Sequence, residues 1–326
     1  MKVFISLEPP SNNIAYGGGL FFVKNLKDFL IKNNHSVVHN IEDNDIDIIL
    51  IIDPRNGPMK KYSYLDLLQY KKVNLNAKIV YRVNECDIKR YPQSSLEPII
   101  VDCINKSDYV VFVSNWLKDY YCDKYNINKA NITHILPGCN SDFFNPINKN
   151  KKREKIKLVT HHWSNNFNKG FEIYNCLDKL LNLEAYRNIE FTYIGNYIEN
   201  YKPKNINVIE PKVGYELSRI IKQNNIYLTA SQYEPGGNHN IEGVCCGLPI
   251  LYRENGGSIK EQSIDIGEEY SDINSLLEKI ELINKNYENY ITNIDYDKFN
   301  SNRCSHDYLN FFENIFKKCI RKETVI

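Results

Sequence analysis

Two glutamates on either side of a glycine turn are the residues whose types and spacing point most clearly to chemistry. Glu234 precedes Pro235-Gly236-Gly237, and Glu242 follows the turn with seven residues between the two carboxylates. Carboxylates placed in this way can accept hydrogen bonds from two sets of sugar hydroxyls. The alternative is that both are solvated charges beside an ordinary strand–turn–helix.

The residues after this turn have the pattern of a helix start. Asn238 is the predicted N-cap, His239 follows it, and Gly247 is placed to end the helix in a left-handed conformation. The free N–H groups of Gly236, Gly237 and the first helical residues, together with the positive end of the helix dipole, suit a diphosphate or a sugar hydroxyl. We therefore expect this segment to bind substrate.

Apolar runs of strand length alternate with helix patterns, which predicts parallel sheets covered by helices on both faces. The predicted strands are 3–7, 36–38, 46–52, 77–83, 109–114, 156–160, 189–194, 206–209, 226–229 and 250–252. The predicted helices are 22–30, 97–105, 116–124, 169–182, 213–223, 238–246, 272–284 and 304–320. In such sheets ligands bind outside the carboxyl ends of the strands, so polar residues that follow a strand are the candidates.

A segment rich in proline, glycine and lysine near residues 136–157 fits an interdomain linker. We expect one Rossmann-like domain at 1–147 and a second at 148–303. A closing helix at 304–326 is expected to pack back on the first domain.

Composition limits the function classes. With 41 basic and 40 acidic residues the net charge is +1, which argues against a dedicated nucleic-acid binder. The sequence contains no pattern of a signal peptide or membrane-spanning helix, so we expect a cytoplasmic location. The nine cysteines include no Cys-x-x-Cys and are interpreted as reduced structural thiols.

The segment from Glu234 to Glu242 resembles the E-x7-E signature of retaining glycosyltransferases of family four. Further matches follow the family's order along almost the whole chain: Gly17-Gly18-Gly19, Leu136-Pro137-Gly138, Asn168-Lys169-Gly170, Cys246-Gly247-Leu248-Pro249 and Gly256-Gly257-Ser258. The resemblance implies an α/β protein of GT-B architecture. Its two Rossmann-like, doubly wound parallel-sheet domains would face each other across a cleft, with the acceptor on the first domain and a nucleotide-sugar donor on the second.

The resemblance also implies roles for matching residues. Glu234 would hold hydroxyls of the donor sugar, Glu242 the nucleotide ribose, and Lys169 the diphosphate. The Gly17-Gly18-Gly19 turn would approach the diphosphate from the facing domain. An ammonium group and oriented N–H donors can stabilise a departing diphosphate without a metal, so no metal and no cofactor other than the donor substrate are expected.

One departure concerns the second cation. The family commonly has an arginine a few residues before the Lys-Gly pair, and this sequence has none there. His161, His162 or Asn165 would contact phosphate instead, or the cation comes from elsewhere. The alternative to phosphate contact, for His161 or His162 taken alone, is that the residue is simply a buried histidine at the end of a strand.

In the first domain, Tyr81-Arg82-Val83-Asn84-Glu85-Cys86-Asp87 follows a strand. Arg82 and Asn84 would orient donor or acceptor hydroxyls, and Glu85 or Asp87 would take the acceptor's proton. Equally, Arg82 would only pair with Glu85 as a structural brace.

Two D-x-D motifs and several basic clusters are interpreted as surface. Asp45-Ile46-Asp47 lies at the wrong end of its strand for a site, and Asp295-Tyr296-Asp297 precedes the final helix. The basic clusters at 60–61, 71–72 and 317–318 with 321–322 are expected to be solvated surface, with weak contact to anionic lipid as the alternative.

These observations predict a retaining glycosyltransferase that moves a sugar from a nucleotide-diphosphate sugar to a glycan, lipid-linked or other hydroxyl acceptor. The alternatives are a nucleotide-sugar epimerase or phosphorylase on the same scaffold, or a non-catalytic nucleotide-sugar-binding protein. The oligomeric state is left open.

Overall fold

The computed structural model describes residues 1–9, 18–57, 60–90, 92–150 and 154–323, with side chains up to 318. Its strands are β1 (Lys2–Ile5), β2 (Ser36–Val38), β3 (Ile48–Ile51), β4 (Lys78–Val83), β5 (Tyr109–Phe112), β6 (Ile132–His134), β7 (Ile156–His162), β8 (Ile189–Gly195), β9 (Asn207–Ile209), β10 (Ile226–Thr229), β11 (Ile250–Arg253) and β12 (Gly267–Tyr270). Its helices are α1 (Gly18–Lys32), α2 (Tyr64–Val73), α3 (Glu97–Lys106), α4 (Asn115–Tyr125), α5 (Phe171–Leu180), α6 (Gly214–Ile221), α7 (Asn238–Cys245), α8 (Ser258–Gln262), α9 (Ile273–Lys285), α10 (Tyr287–Thr292) and α11 (Ser301–Glu323).

The chain divides into two compact units. Unit 1 comprises Met1–Cys86, Ser95–Pro137 and Ser301–Ile326, and unit 2 comprises Asp87–Ser94 and Gly138–Asn300. The main segment of unit 2 thus begins at Gly138, whereas the boundary predicted from the sequence lies between residues 147 and 148. It also includes a short segment, Asp87–Ser94, that the sequence assigns to the first domain.

Unit 1 contains a six-stranded parallel sheet in the order β2-β1-β3-β4-β5-β6. Its central strands β1, β3, β4 and β5 are largely apolar and buried, as in sheets covered by helices. Helix α11 packs on α1, where the rings of Tyr308 and Phe22 lie 4.9 Å apart. The strand order reverses between β1 and β3, so ligands are expected beyond the carboxyl ends of these two strands.

Unit 2 repeats the architecture with the order β12-β11-β10-β7-β8-β9, again parallel throughout. Apolar and aromatic side chains fill both faces of its sheet, among them Tyr174, Tyr193 and Tyr227. Here the order reverses between β7 and β10, and the edge beyond these strands is the expected ligand site.

The predicted fold class is confirmed, since both halves are doubly wound parallel sheets with flanking helices. Five elements were not predicted: the helices α2, α8 and α10, the strand β6 and the polar edge strand β12. The predicted cap was wrong, because α7 has Gly237 as its N-cap and Asn238 is its first helical residue. The predicted helix end is confirmed, with Gly247 in the left-handed region at φ 83°.

Candidate functional site

A buried ion pair lies at the carboxyl edge of the unit 2 sheet, where β7 and β10 diverge. The ammonium group of Lys169 donates to Oε1 of Glu234, and the two residues are only 9% and 4% exposed. Lys169 follows β7 and Glu234 follows β10, so the reversal of strand order brings together two residues that are 65 positions apart.

Lys169 is positioned by a tight turn. It ends the 3₁₀ turn Phe167–Lys169, which Asn166 caps by accepting the backbone N–H of Asn168 at 2.9 Å. Gly170 then takes a φ of 82°, and a Cβ there would lie 2.3 Å from the carbonyl oxygen of Ala230. Only glycine allows this close approach, which brings Lys169 beside the end of β10.

Glu234 is held through its backbone. Its N–H donates to the Gly256 carbonyl, and its carbonyl accepts the Ser258 N–H at 2.8 Å. Gly257 lies against it at φ 70°, where a Cβ would come within 2.6 Å of the Glu234 oxygen. Tyr233 just before it has a φ of 55°, which is a rare conformation for a bulky residue and a form of strain that clusters at functional sites.

The charge state of Glu234 follows from its neighbours. Burial alone would raise the pKa of this carboxyl, but the Lys169 ammonium and, further away, that of Lys89 outweigh burial and lower the pKa to about 2. The Lys89 Nζ lies 4.0 Å from Oε2 of Glu234. Glu234 is therefore ionised at neutral pH and cannot act as a proton donor in this state.

A cavity of ≈ 130 Å³ opens beside the pair. Its lining residues are Lys89, Arg90, Ser164, Asn166, Asn168, Lys169, Gln232 and Glu234. The neighbouring Asn165, a predicted phosphate contact, is exposed and is not among them. Three cations and one carboxylate give this cavity a positive charge, which suits an anionic ligand.

His161 and Glu242 form a second pair in unit 2. The imidazole Nε2 lies 2.8 Å from the Glu242 carboxylate, and Nδ1 lies 3.0 Å from the hydroxyl of Tyr227. That hydroxyl also accepts the His161 backbone N–H at 3.3 Å. An ionised carboxylate only accepts hydrogen bonds, so Nε2 donates to Glu242 and the histidine fixes the carboxylate.

His162 faces the interior. Its Nε2 lies 2.8 Å from the Tyr174 hydroxyl, and its buried Nδ1 has no hydrogen-bond partner among the residues that the structure describes. Burial lowers the pKa of this imidazole well below its ordinary value. The predicted contact of His162 with phosphate is therefore not supported by its position. His239 lies 4.9 Å from it between ring centres and bonds Thr229 at 3.0 Å, and burial again lowers the imidazole pKa.

The segment between Glu234 and α7 bends at Pro235 and Gly236. Gly236 and Gly237 connect Glu234 to the helix, and the Gly237 N–H donates to the Ser258 hydroxyl at 3.4 Å. Asn238 and His239 occupy the first helical turn. Glu242 comes one turn later and is partly exposed.

Unit 1 has its own cavity, of ≈ 260 Å³, at the reversal between β1 and β3. Four of the predicted residues line it: Gly18, Gly19, Asn84 and Glu85. Gly17 lies outside the described residues. An unpredicted pair also lines it, since Arg55 Nε donates to Asp53 at 2.9 Å and Nη2 donates at 2.7 Å. The signal that could have found this pair is its position directly after the apolar run 46–52.

Arg82 does not join this cavity. It is 5% exposed, and its guanidinium lies 4.1 Å from the centre of the Phe22 ring in the interior of unit 1. Its Nε and Nη1 have no hydrogen-bond partner within the described part of the chain. The predicted brace to Glu85 is not what these contacts show.

The D-x-D aspartates have structural partners. Lys2 bonds Asp45 at 2.6 Å and its backbone N–H donates to Asp47 at 2.7 Å, while Asp295 accepts the N–H groups of Asp297 and Lys298. Within the described ranges, no three or more His, Cys, Asp or Glu side chains are grouped as a metal site. The same ranges contain no helix with the length and apolar character needed to span a bilayer.

Comparison with known proteins adds an independent observation. No protein-family model matches the chain. A probable sucrose-phosphate synthase of Thermosipho melanesiensis is 27% identical over 220 residues, which are 59% of this chain and 50% of that protein. The chain thus spans about half the length of this curated relative.

Solved glycosyltransferase structures share the fold. Sucrose-phosphate synthase from Thermosynechococcus elongatus superposes with a TM-score of 0.70 at 13% identity, covering 97% of this chain and 99% of that one. The chain has the GT-B fold. A second neighbour, Anabaena HepE in complex with UDP-glucose, has a TM-score of 0.62 at 10% identity and covers 100% and 99% of the two chains. The predicted GT-B fold and the resemblance to glycosyltransferases are confirmed by these proteins.

Proposed function

We propose that this protein transfers a sugar from a nucleoside-diphosphate sugar to a hydroxyl group of an acceptor. The observation that carries this proposal is the buried Lys169–Glu234 pair beside a cationic cavity at the strand-order reversal of unit 2. That edge is where doubly wound sheets bind nucleotides. The bound UDP-glucose of the HepE neighbour supports a nucleotide-sugar donor.

The proposed reaction breaks the bond between the anomeric carbon and the diphosphate oxygen and forms a bond from that carbon to the acceptor oxygen. Negative charge grows on the diphosphate as it leaves, and the Lys169 ammonium and the N–H group of Gly236 stabilise it. The ionised Glu234 carboxylate accepts hydrogen bonds from donor-sugar hydroxyls.

Glu242 is proposed to hold the ribose hydroxyls. Its hydrogen bond from His161 keeps one carboxylate oxygen engaged and fixes the direction of the other. A pre-oriented carboxylate loses little freedom on binding, which strengthens recognition of a diol. His161 acts here as a positioning residue.

The unit 1 cavity is proposed to take the acceptor. Asn84 and Glu85 line it with the Asp53–Arg55 pair and the first residues of α1, Gly18 and Gly19. Amide, carboxylate and guanidinium groups together suit a hydroxyl-rich glycan or the glycan part of a lipid-linked acceptor. Glu85 is the proposed base for the proton that the acceptor hydroxyl loses.

Further features of the proposal come from the family resemblance. The reaction would retain the anomeric configuration, need no metal and take place in the cytoplasm, with weak membrane contact through basic surface clusters if the acceptor is lipid-linked. An epimerase, a phosphorylase and a non-catalytic binder are the competing functions, and the same experiment separates them.

The test is a two-step screen. A panel of nucleotide sugars is tested for thermal stabilisation of the protein, because a ligand that binds the folded state raises Tm. The best ligand is then incubated with glycan and lipid-linked acceptors, and release of nucleoside diphosphate is measured. Release that depends on acceptor supports the transferase. Three other outcomes would replace the transferase proposal. Formation of an epimerised donor would indicate an epimerase, and release that depends on inorganic phosphate would indicate a phosphorylase. Donor binding with no turnover on any acceptor would indicate a non-catalytic binding protein.

The division of labour between the two glutamates can be tested within the same assay. Glu242→Ala should weaken nucleoside-diphosphate binding about tenfold, since a charge-assisted hydrogen bond to the ribose is lost. Glu234→Ala should mainly lower the transfer rate. Calorimetric titration with the diphosphate and steady-state kinetics measure the two quantities. Equal effects of both changes on binding and on rate would contradict the division.

A further inference from the structure

The cationic cavity of unit 2 contains positive charge from a part of the sequence outside the family-like motifs. Lys89 and Arg90 line the cavity together with Lys169, although they precede it by about 80 residues. We propose that Lys89, with Arg90 beside it, supplies the second cation for the donor diphosphate. This inference rests on the proposed function and identifies the group that completes its anion site.

The segment that carries Lys89 is anchored to the turn that carries Lys169. The side-chain amide of Asn168 donates to the carbonyl oxygens of Ile88 and Lys89, each at 3.1 Å. Residues 87–89 form a 3₁₀ turn that the Arg90 N–H closes on the Asp87 carbonyl at 3.1 Å. One amide therefore ties the two cation-bearing turns together, and their ammonium groups share one carboxylate.

The charges around Glu234 indicate which class of ligand binds in the cavity. The Lys89 Nζ lies 4.0 Å from Oε2, while Lys169 bonds Oε1. The Glu234 carboxylate thus contacts two ammonium groups, and Arg90 brings a third positive charge to the lining of the same cavity. Cations held this close repel one another, so binding an anion with two charged centres relieves the repulsion.

The geometry favours a diphosphate over a singly charged anion. Lys169 is nearly buried, whereas the Lys89 side chain is 29% exposed, so the two cations lie at different depths of one cavity. A pyrophosphate group presents oxygens on two phosphorus atoms and can contact both. The Lys89 contact to the diphosphate is expected to strengthen as the leaving group gains charge.

The experiment compares diphosphate with monophosphate binding. The tightest of UDP, GDP and ADP is titrated calorimetrically into the wild type, Lys89→Met and Lys89→Arg, together with the matching monophosphate and nucleoside. Inorganic pyrophosphate is a base-free and sugar-free probe. Lys155→Met is the matched control, because Lys155 pairs with Glu190 at 2.8 Å just before β7, at the opposite edge of the same sheet.

Lys89→Met should weaken diphosphate and pyrophosphate binding about 10- to 100-fold and leave nucleoside binding unchanged, since a charge-assisted contact is removed. Lys89→Arg should retain most of the affinity, and Lys155→Met all of it. Asn168→Ala should act in the same direction as Lys89→Met but more weakly, because it only loosens the Lys89 turn. These results would support the assignment.

Three outcomes would overturn the assignment of Lys89, and they can be told apart. If the wild type binds a diphosphate and Lys89→Met binds it within twofold, the second cation is elsewhere and the proposed function still stands. If the wild type binds none of the diphosphates, both the inference and the proposed function fail. An equal loss for the diphosphate and the nucleoside would mean that Lys89 is only structural.

Discussion

The cavities of the two units lie at the same point of the sheet topology, but the charged pairs that line them differ in burial. Both cavities lie where the strand order reverses, yet the central pair of unit 2, Lys169 and Glu234, is almost fully buried. In unit 1 the side chains of Arg55 and Asp53 are 43% and 23% exposed. Electrostatic interactions are stronger and less screened in the buried pair.

This difference suits the two proposed roles. A leaving diphosphate needs fixed charges at a defined place, because preorganised groups need no rearrangement as charge develops. Acceptor hydroxyls carry no charge and exchange readily with water. The more open and solvated cavity of unit 1 is therefore suited to orient an acceptor, whereas the buried pair of unit 2 is suited to the chemical step.

The largest effect should follow from breaking the buried pair. Lys169→Met leaves the Glu234 carboxylate buried without its main partner, which should lower the free energy of unfolding by about 3–5 kcal/mol. It should also lower the transfer rate about 10²- to 10³-fold. Urea unfolding and steady-state kinetics measure the two effects.

The double variant Lys169→Met, Glu234→Gln separates them. Removing both charges should restore much of the stability without restoring transfer, because the stability loss comes from one unpaired charge. Lys155→Met serves again as the exposed control and should change stability by no more than about 0.5 kcal/mol. Full activity of the double variant would show that the pair has no part in catalysis.

The pH dependence of stability gives a smaller effect at the same site. The folded-state pKa of Glu234 is about 2, below its ordinary value of 4.5, so ionised Glu234 stabilises the fold above about pH 4.5. That contribution, on the order of 3 kcal/mol, is lost as the pH falls from about 4.5 to 2.

Urea unfolding of the wild type and Glu234→Gln over this range tests the sign. The wild type should be more stable by about 3 kcal/mol near pH 6, and the gap should shrink to about half near pH 3. The difference between the two proteins cancels the other carboxylates whose pKa values are also lowered. A gap that stays constant with pH would rule out the buried, ionised state of Glu234.

A pair of glycine substitutions compares the two cavities directly. Gly257→Ala puts a Cβ within 2.6 Å of the Glu234 oxygen at a φ of 70°, which should cost about 1–3 kcal/mol of stability and lower transfer at least about tenfold by displacing Glu234. Among the described residues, no atom lies within 4 Å of a Cβ placed at Gly19 in α1, so Gly19→Ala should stabilise unit 1 by up to about 1 kcal/mol. Thermal unfolding and steady-state kinetics of both variants measure these effects. If Gly257→Ala is as stable and as active as Gly19→Ala, the position of Glu234 does not depend on the backbone conformation at Gly257.

Sequence reasoning succeeded where the signal is local. The central strands are continuous apolar runs, and Glu234, Glu242 and Lys169 each follow or join a strand–turn–helix pattern. It failed on β12, whose sequence Gly-Glu-Glu-Tyr is too polar to read as a strand and which pairs only at the edge of its sheet. Local patterns therefore predicted the architecture and those candidate site residues that lie within sequence motifs.

Long-range pairings were beyond local patterns. The contact of His161 with Glu242 joins residues 81 positions apart, and the placement of Lys89 beside Glu234 depends on a segment of the first half that belongs to unit 2. The same applies to Arg82, because neither its burial nor its stacking on Phe22 could be read from the strand that contains it. Spatial neighbours of this kind are set by topology and not by spacing.

Arg82 offers the smallest and most specific test, because it is a candidate site residue that lies outside the unit 1 cavity. Two nitrogens of its buried guanidinium have no hydrogen-bond partner among the described residues, so Arg82→Met removes incompletely satisfied polar atoms but also the stacking on Phe22. The two effects oppose each other, and we expect the free energy of unfolding to stay within about 1 kcal/mol of the wild type, with an unchanged transfer rate.

Arg55→Met is the matched variant, since Arg55 lines the unit 1 cavity and its loss should raise the acceptor KM without altering diphosphate binding. If Arg82→Met instead lowers kcat/KM more than tenfold at unchanged stability, Arg82 reaches substrate and the acceptor site of unit 1 extends into what is now its interior.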